Sequence, residues 1–129
     1  MVMTRSGDGI RAVERWDEVF KAVSAEPRRQ IVVSVMDYPE DEPASLPEAA
    51  TNPNRPADPV RLRSELRHTH LPMLSDMGFV EWESDPFVVF RGPRFEEAAA
   101  IFEAMYDSAT KLPDSLVVGC RRLERERSA

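Results

Sequence analysis

The residues best suited to chemistry are polar side chains in the helix predicted over residues 59–71. Side chains advance about 100° per residue around a helix, so Leu62 and Leu66 share one face. The opposite face then carries Arg61, Ser64 and His68, which can bind nucleic acid. Arg67 lies beside this face, and Arg63 on the same helix is a further candidate DNA contact. Arginine can pair with guanine or with phosphate, and serine and histidine can contact either. The spacing therefore predicts a surface for double-stranded DNA.

The charge of this segment is opposite in sign to the charge of the chain. Residues 55–70 contain two carboxylates and four arginines, so their formal charge is +2; the arginines are Arg55, Arg61, Arg63 and Arg67. The whole chain of 129 residues carries a formal charge of -6. A local excess of arginine in an acidic chain indicates nucleic-acid binding. The alternative is a solvated helix face whose arginines pair with glutamates along the same helix.

An acidic β-hairpin is predicted immediately after this segment. Apolar and polar residues alternate over 79–83, a turn follows at 84–86, and 87–91 forms the returning strand. Its charged side chains are Glu81, Glu83 and Asp85 towards the tip and Arg91 and Arg94 at the base. Because carboxylates repel phosphates, an acidic and solubilising hairpin is favoured over a DNA contact.

Metal binding and catalysis have little support in the sequence. His68 and His70 lie two residues apart, about 200° around a helix, so they cannot share a metal ion without a kink. Cys120 is the single cysteine, which excludes an internal disulfide and fits a reducing compartment. The motifs of P-loop, Rossmann, serine-hydrolase and zinc-protease sites do not occur. We therefore expect no enzyme, no metal site and no cofactor.

The composition is that of a globular protein without membrane segments. The chain is 42% hydrophobic and 31% charged. Its longest apolar runs, such as 87–90, are far shorter than a membrane-spanning helix of about 20 residues, so we expect a cytoplasmic protein. Fifteen arginines stand against two lysines. This ratio fits either adaptation to molar salt or a genome rich in G and C.

Helices dominate the elements that must position these groups. The polar residues 1–10 predict a flexible leader. Amphipathic spacing and capping residues predict helices over 11–23, 26–38, 45–51, 59–77 and 94–112. Ser24 is the expected cap of the second helix, and Ser45 and Glu48 form a capping box for the third. A further short helix is expected over 116–123.

The fourth predicted helix should bend near its middle. Its apolar positions change phase between Leu66 and Leu71. Pro72 removes a backbone donor at this point. A kink near 70–72 would bring both phases onto one core, and Gly78 would end the helix in the left-handed conformation.

The helix predicted over 94–112 carries more apolar surface than a helix added to so small a domain need bury. Its apolar positions recur close to every 3.5 residues. We expect it to form a homodimer through Phe95, Phe102, Met105, Tyr106 and Ala109. The alternative is that it folds back on the helix 11–23 within one chain.

Residues 70–80, HLPMLSDMGFV, resemble the pattern H-L-x-x-L-x-x-x-G-L/F-V, and residues 19–32 resemble the opening hhxALSxxxRRxIL. With these two stretches the chain resembles winged-helix regulators of the ArsR and MarR type. Their combination is most similar to small haloarchaeal winged-helix proteins of unknown function, which favours salt adaptation as the reason for the arginine excess. The chain departs from the regulators in a connector lengthened by residues 55–58 and in Pro72, where they usually have lysine or arginine.

The resemblance implies a mainly α-helical fold with a small β-hairpin. A winged helix-turn-helix domain would span 11–92, and a C-terminal dimerisation element would span 93–129. A transcriptional regulator of this kind reads the DNA major groove with the helix 59–71, and we expect Arg28 and Arg29 to contact phosphates. The alternative is a protein-interaction module that uses the acidic hairpin and the 94–112 stripe. A small-molecule sensor, which needs a polar-lined cavity beside the long helix, is a third interpretation.

Overall fold

Helices form most of the structure, and a small antiparallel sheet completes it. The computed structural model describes residues 6–55 and 57–128. The helices are α1 (Ser6–Ala22), α2 (Glu26–Met36), α3 (Pro59–Glu65), α4 (Leu71–Asp76), α5 (Phe95–Asp107), α6 (Asp114–Val117) and α7 (Arg121–Ser128). Two 3-10 turns lie at Glu48–Ala50 and Ala109–Lys111, and a π-helical turn lies at Leu66–His70. The strands are β1 (Ala44–Ser45), β2 (Val80–Ser84) and β3 (Phe87–Arg91).

The first helix begins earlier than the sequence predicts. Residues 6–10 already belong to α1, so the helix begins within the segment 1–10 that the sequence predicts as a leader, and residues 1–5 lie outside the described residues. α2 begins at Glu26 with a proline in its first turn, as expected. The predicted cap is wrong, because the N-cap residue is Ala25 and the Ser24 hydroxyl donates to the Lys21 carbonyl at 2.8 Å.

The sheet contains the predicted hairpin and one strand that the sequence did not reveal. β2 and β3 pair antiparallel with Trp82 opposite Val89, which confirms the hairpin. β1 pairs with the other edge of β3, where Ala44 lies opposite Val89 and Ser45 opposite Val88. The strand order is therefore β1-β3-β2, with β3 in the centre.

The capping box predicted at residues 45–48 does not start an α-helix. The backbone of Ser45 is held in the sheet, and the next residue, Leu46, donates its N–H to the Phe87 carbonyl at 3.0 Å. Only the three-residue 3-10 turn at 48–50 remains of the predicted helix. The motif describes local preference only, and here pairing with the distant strand β3 overrides it.

The bend predicted near 70–72 is a π-helical turn that starts four residues earlier. The N–H of Leu71 donates to the carbonyl of Leu66, five residues back instead of four. This wider turn holds one extra residue, so Leu66 and Leu71 both face the core and both are fully buried. The helix ends at Asp76, and Gly78 follows with a positive φ of 83°, as predicted.

One hydrophobic core joins α2, the helical segment 59–76, the sheet and α5. Its largest fully buried side chains include Ile31, Leu66, Leu71, Leu74, Phe79, Val89 and Phe95. Burial of each such side chain stabilises the folded state by about 1.5–3 kcal/mol relative to leaving it in water. The predicted boundary between 11–92 and 93–129 does not divide this core, because α5 contributes to it.

The C-terminal helices are shorter than the sequence predicts. α5 ends at Asp107 instead of residue 112. Gly119, with a φ of 93°, separates α6 from α7, so the single helix expected over 116–123 does not form. α7 is tied back to the core by Arg122, which donates to a carboxylate oxygen of Asp37 at 2.8 Å and lies 4.6 Å above the Tyr106 ring.

Candidate nucleic-acid interface

The helical segment 59–76 begins with strong local signals. The side chain of Asp58 accepts a hydrogen bond from the N–H of Val60 at 3.0 Å, and Pro59 occupies the first turn. An aspartate at this position satisfies one of the unpaired donors at the helix start, and the fixed φ of proline suits the first turn. The local sequence therefore determines where this helical segment begins.

The polar face of the segment is open to solvent. Leu62 and Leu66 on the opposite face are buried in the core. The five side chains predicted on this helix as DNA contacts are all exposed: Arg61, Arg63, Ser64, Arg67 and His68. The structure thus brings this predicted set together on one helical segment.

One of the three arginines on this face is paired along the helix. The Nε of Arg61 donates to Oε1 of Glu65 at 3.0 Å. Exposed pairs at this spacing contribute only about 0.3–0.5 kcal/mol, so a phosphate can replace the glutamate at small cost. Within the described residues, Arg63 and Arg67 take part in no salt bridge.

Arg67 connects the segment to the hairpin. Its guanidinium carbon lies 4.7 Å from the centre of the Phe87 ring, the first residue of β3. Arginine over an aromatic face is attractive by about 0.5–1 kcal/mol at exposed sites and leaves the edge of the guanidinium able to donate hydrogen bonds. The position of Phe87 beside Arg67 could not be predicted, because nothing in the sequence spacing shows which helix the hairpin lies against.

The hairpin is acidic, and the arginines at its base are engaged. Glu81, Glu83 and Asp85 are exposed. Arg91 donates to Glu96 at 2.9 Å, and its buried Nε has no hydrogen-bond partner among the described residues.

Arg94 is held by two carboxylates and a backbone carbonyl. It donates to Glu97 at 2.8 Å, to Glu18 at 3.2 Å and to the Met77 carbonyl at 3.1 Å. The hydrogen bond to Glu97 and the negative charges of Glu97 and Glu18 raise the pKa of Arg94. The hydrogen bonds and positive charges of Arg94 and Arg15 lower the pKa of Glu97. The base of the hairpin therefore offers little positive charge to a phosphate.

The prediction that Arg28 contacts phosphate is wrong. Its side chain is only 6% exposed, and it donates to the carbonyl of Ala22 at 2.9 Å and to the hydroxyl of Ser24 at 2.9 Å. These hydrogen bonds hold the loop between α1 and α2 against the start of α2. Arg29 remains exposed and donates to the carbonyl of Val23 at 2.8 Å, so Arg29 alone of the two stays available at the surface.

Arg28 also binds the histidine at the end of the π-helical turn. Its Nη1 lies 2.8 Å from Nδ1 of His70. Because arginine can only donate, Nδ1 must accept, which places the proton of a neutral imidazole on Nε2. Burial lowers the pKa of His70, the charge of Arg28 lowers it further, and Glu65 partly opposes both. His70 is therefore a packing residue that joins α2 to the segment 59–76.

Comparison of the chain with protein-family models, curated proteins and solved structures gives no match.

Four of the five side chains predicted for dimer contact are not on a surface. Phe95, Phe102, Tyr106 and Ala109 are buried in the core of the same chain, where α5 packs against α2, α7 and α1. Burial raises the pKa of Tyr106 to about 12. Met105 alone of the five is exposed, at 37%. The prediction that this stripe forms a dimer face is therefore corrected, because its apolar surface is used within the chain.

A groove lies between α1 and α5. It has a volume of about 400 Å3 and is lined by Ala12, Arg15, Trp16, Val19, Glu97 and Ile101. Its polar groups, Arg15 and Glu97, bind each other at 2.6 Å. This groove therefore does not provide the polar-lined cavity that a small-molecule sensor needs.

Within residues 6–55 and 57–128, no three histidine, cysteine, aspartate or glutamate side chains are grouped so that they could hold a metal ion. None of the helices in these ranges is long and apolar enough to cross a membrane.

Proposed function

We propose that this protein is a cytoplasmic DNA-binding regulator of transcription with a winged helix-turn-helix fold. In this proposal α2 and the segment 59–76 form the helix-turn-helix, and the β2–β3 hairpin is the wing. The observation that carries the proposal is the exposed set Arg63, Ser64, Arg67 and His68 on a helix whose other face is anchored in the core. A helix fixed in this way can enter the major groove without losing its packing.

The charge distribution supports a contact through the helix and not through the hairpin. Arg63 and Arg67 carry positive charge without a carboxylate partner among the described residues. The hairpin presents carboxylates, which repel phosphates. We propose that the helix provides the base and phosphate contacts while the hairpin makes no contact with the DNA backbone.

The second candidate function is a protein-interaction module without DNA binding. The acidic hairpin favours it, since exposed Glu81, Glu83 and Asp85 suit a basic partner. This candidate predicts no affinity for DNA at any salt concentration. It also predicts that neutralising the hairpin weakens binding to the partner.

Fluorescence anisotropy with a pool of random-sequence DNA duplexes tests the proposal. The double variant Arg63→Ala/Arg67→Ala should bind at least about tenfold more weakly than the native chain, since each phosphate or base contact contributes about 1–3 kcal/mol. The matched control is Arg121→Ala/Arg125→Ala, which removes two exposed arginines from α7. Equal binding by both double variants would show that the face is assigned wrongly, and absence of binding by the native chain would favour the second candidate.

A further inference from the structure

An apolar strip on α1 is exposed although the helix has a buried side. Val19 and Ala22 pack into the core, whereas Ile10, Val13, Trp16 and Phe20 are between 50% and 60% exposed. The spacing of these four residues, three, three and four apart, places them on one face. The rings of Trp16 and Phe20 stack with their centres 5.6 Å apart. We call these four side chains the α1 strip.

The α1–α5 groove described above runs directly beside this strip. Trp16 belongs to both, since it projects from the strip and lines the groove. A projecting ridge and an apolar groove therefore lie next to each other on one helix. A two-fold axis can place the ridge of each copy in the groove of the other, as an interface between identical surfaces requires.

The exposed apolar area of the α1 strip is large enough for a small protein–protein interface. Aromatic side chains carry about 150–250 Å2 each, so four large apolar side chains that are half exposed offer on the order of 400 Å2. The largest apolar patch on a monomer is roughly 300–600 Å2, and such patches are often functional. Two copies with their polar rims would bury about 1,000 Å2, which is the lower limit for a specific interface.

The charges around the strip suit a second copy of the chain. Residues 10–21 contain three basic and three acidic side chains, whereas the whole chain carries -6. Two of the six are already paired within the chain, because Arg15 binds Glu97 and Glu18 binds Arg94. The remaining four, Arg11, Glu14, Asp17 and Lys21, are two of each sign. A neutral surface of mixed charge attracts neither anionic lipid nor nucleic acid, but two copies can pair their charges across a two-fold axis.

We infer that two copies of this chain associate through the α1 strip and the α1–α5 groove. This surface replaces the 94–112 stripe, whose apolar side chains are consumed by the core. The inference does not rest on the proposed DNA binding, because the DNA contacts lie on the segment 59–76 and the copies meet on α1.

Size-exclusion chromatography with light scattering on the full chain, from low to high micromolar concentration, tests the inference. The native chain should be a dimer, and Val13→Glu and Phe20→Glu should each raise its dissociation constant at least about tenfold. The matched control is Val60→Glu, which places the same charge on a side chain of α3 that is 76% exposed. Circular dichroism of each variant establishes that it is folded.

The outcomes separate this inference from the proposed function. A dimer that persists at 1 M salt and is lost in both α1 variants but not in Val60→Glu supports the inference. A native chain that is monomeric throughout, or a dimer unaffected by either folded α1 variant, overturns it. Anisotropy on the same samples reports DNA binding independently, so a monomer that still requires Arg63 and Arg67 for DNA refutes only the α1 interface.

Discussion

At the scale of single residues, the pair of Arg28 and His70 shows how a buried polar group is satisfied in this chain. The Arg28 guanidinium makes four hydrogen bonds, to the carbonyls of Ala22 and Lys21, the hydroxyl of Ser24 and the imidazole Nδ1 of His70. A charge this deeply buried is tolerated only because its hydrogen bonds are made. Protonation of His70 would turn its Nδ1 from a hydrogen-bond acceptor into a donor. It would also place a second positive charge beside the guanidinium of Arg28.

We therefore predict that acid weakens the fold through His70. The pKa of His70 in the folded protein lies below its unfolded value near 6.5, so the folded state binds fewer protons. Its contribution to stability is present above about pH 6.5 and is lost as the pH falls through the lower folded pKa. The urea midpoint of the native chain should fall between pH 7 and pH 5.

His70→Asn should make that fall smaller, because the amide oxygen can accept from Arg28 without titrating. His68→Asn is the matched control, since it makes the same substitution at an exposed position of the same helical segment. An identical pH dependence in both variants would show that His70 is not the group responsible.

The same residues show where sequence reasoning stops. The exposed set on the segment 59–76 could be predicted, because helical periodicity shows which face is apolar. The burial of Arg28 could not, since its partners are the ends of other elements. The periodicity of residues 94–112 showed that Phe95 and Phe102 are inward positions, but not that the covering surface belongs to the same chain.

At the scale of elements, the connection from the segment 59–76 into the hairpin depends on two glycines. Gly78 takes a positive φ and is followed by Phe79, and Gly92 donates its N–H to the Phe79 carbonyl at 3.0 Å. A Cβ built on Gly92 would lie 2.5 Å from the carbonyl oxygen of Gly78 and 2.7 Å from the nitrogen of Val80. Both obstacles are backbone atoms, so neither can move aside easily.

We predict that Gly92→Ala lowers the free energy of unfolding by about 2–3 kcal/mol, because the backbone on both sides must shift. Thermal and urea unfolding monitored by circular dichroism measure this loss. Gly9→Ala is the control, since a Cβ there meets no atom of the described residues within 4 Å and alanine is the better helix former. A Gly92→Ala variant as stable as the Gly9→Ala variant would contradict this account of the joint.

Local sequence signals predict some elements of this fold but not others. The β2–β3 hairpin and the Gly78 terminus followed from alternation and turn residues, and both are present. The two-residue strand β1 carries too short a pattern to be read, and it forms because β3 is available to pair with it. A capping motif at Ser45 was therefore a poor guide to the structure of that segment.

At the scale of the whole molecule, the acidic and basic surfaces adjoin where Arg67 lies over Phe87. If DNA lies along the segment 59–76, the hairpin carboxylates are near enough to repel it. This repulsion is screened beyond about 10 Å at 0.1 M salt and beyond about 3 Å at 1 M salt.

We predict that neutralising the hairpin with Glu81→Gln, Glu83→Gln and Asp85→Asn raises DNA affinity about tenfold at 0.1 M salt and little at 1 M salt. Anisotropy titrations at the two concentrations measure the difference. The control neutralises the exposed carboxylates Glu40, Asp41 and Glu42, which changes the net charge of the molecule by the same amount. An equal gain in both triple variants would show that only net charge matters, and weaker binding in the hairpin variant would indicate that the hairpin is itself a contact.

The π-helical turn at Leu66–His70 has a consequence for tracing the ancestry of this chain. One residue inserted into a regular helix produces such a turn, which keeps the hydrophobic seam continuous on both sides. An alignment with proteins whose corresponding helix is regular therefore needs a one-residue gap within 66–70. An alignment without that gap that matches the residues after the turn correctly is one position out of register before it. The polar residues of 59–65 are then compared with the wrong residues of the other protein.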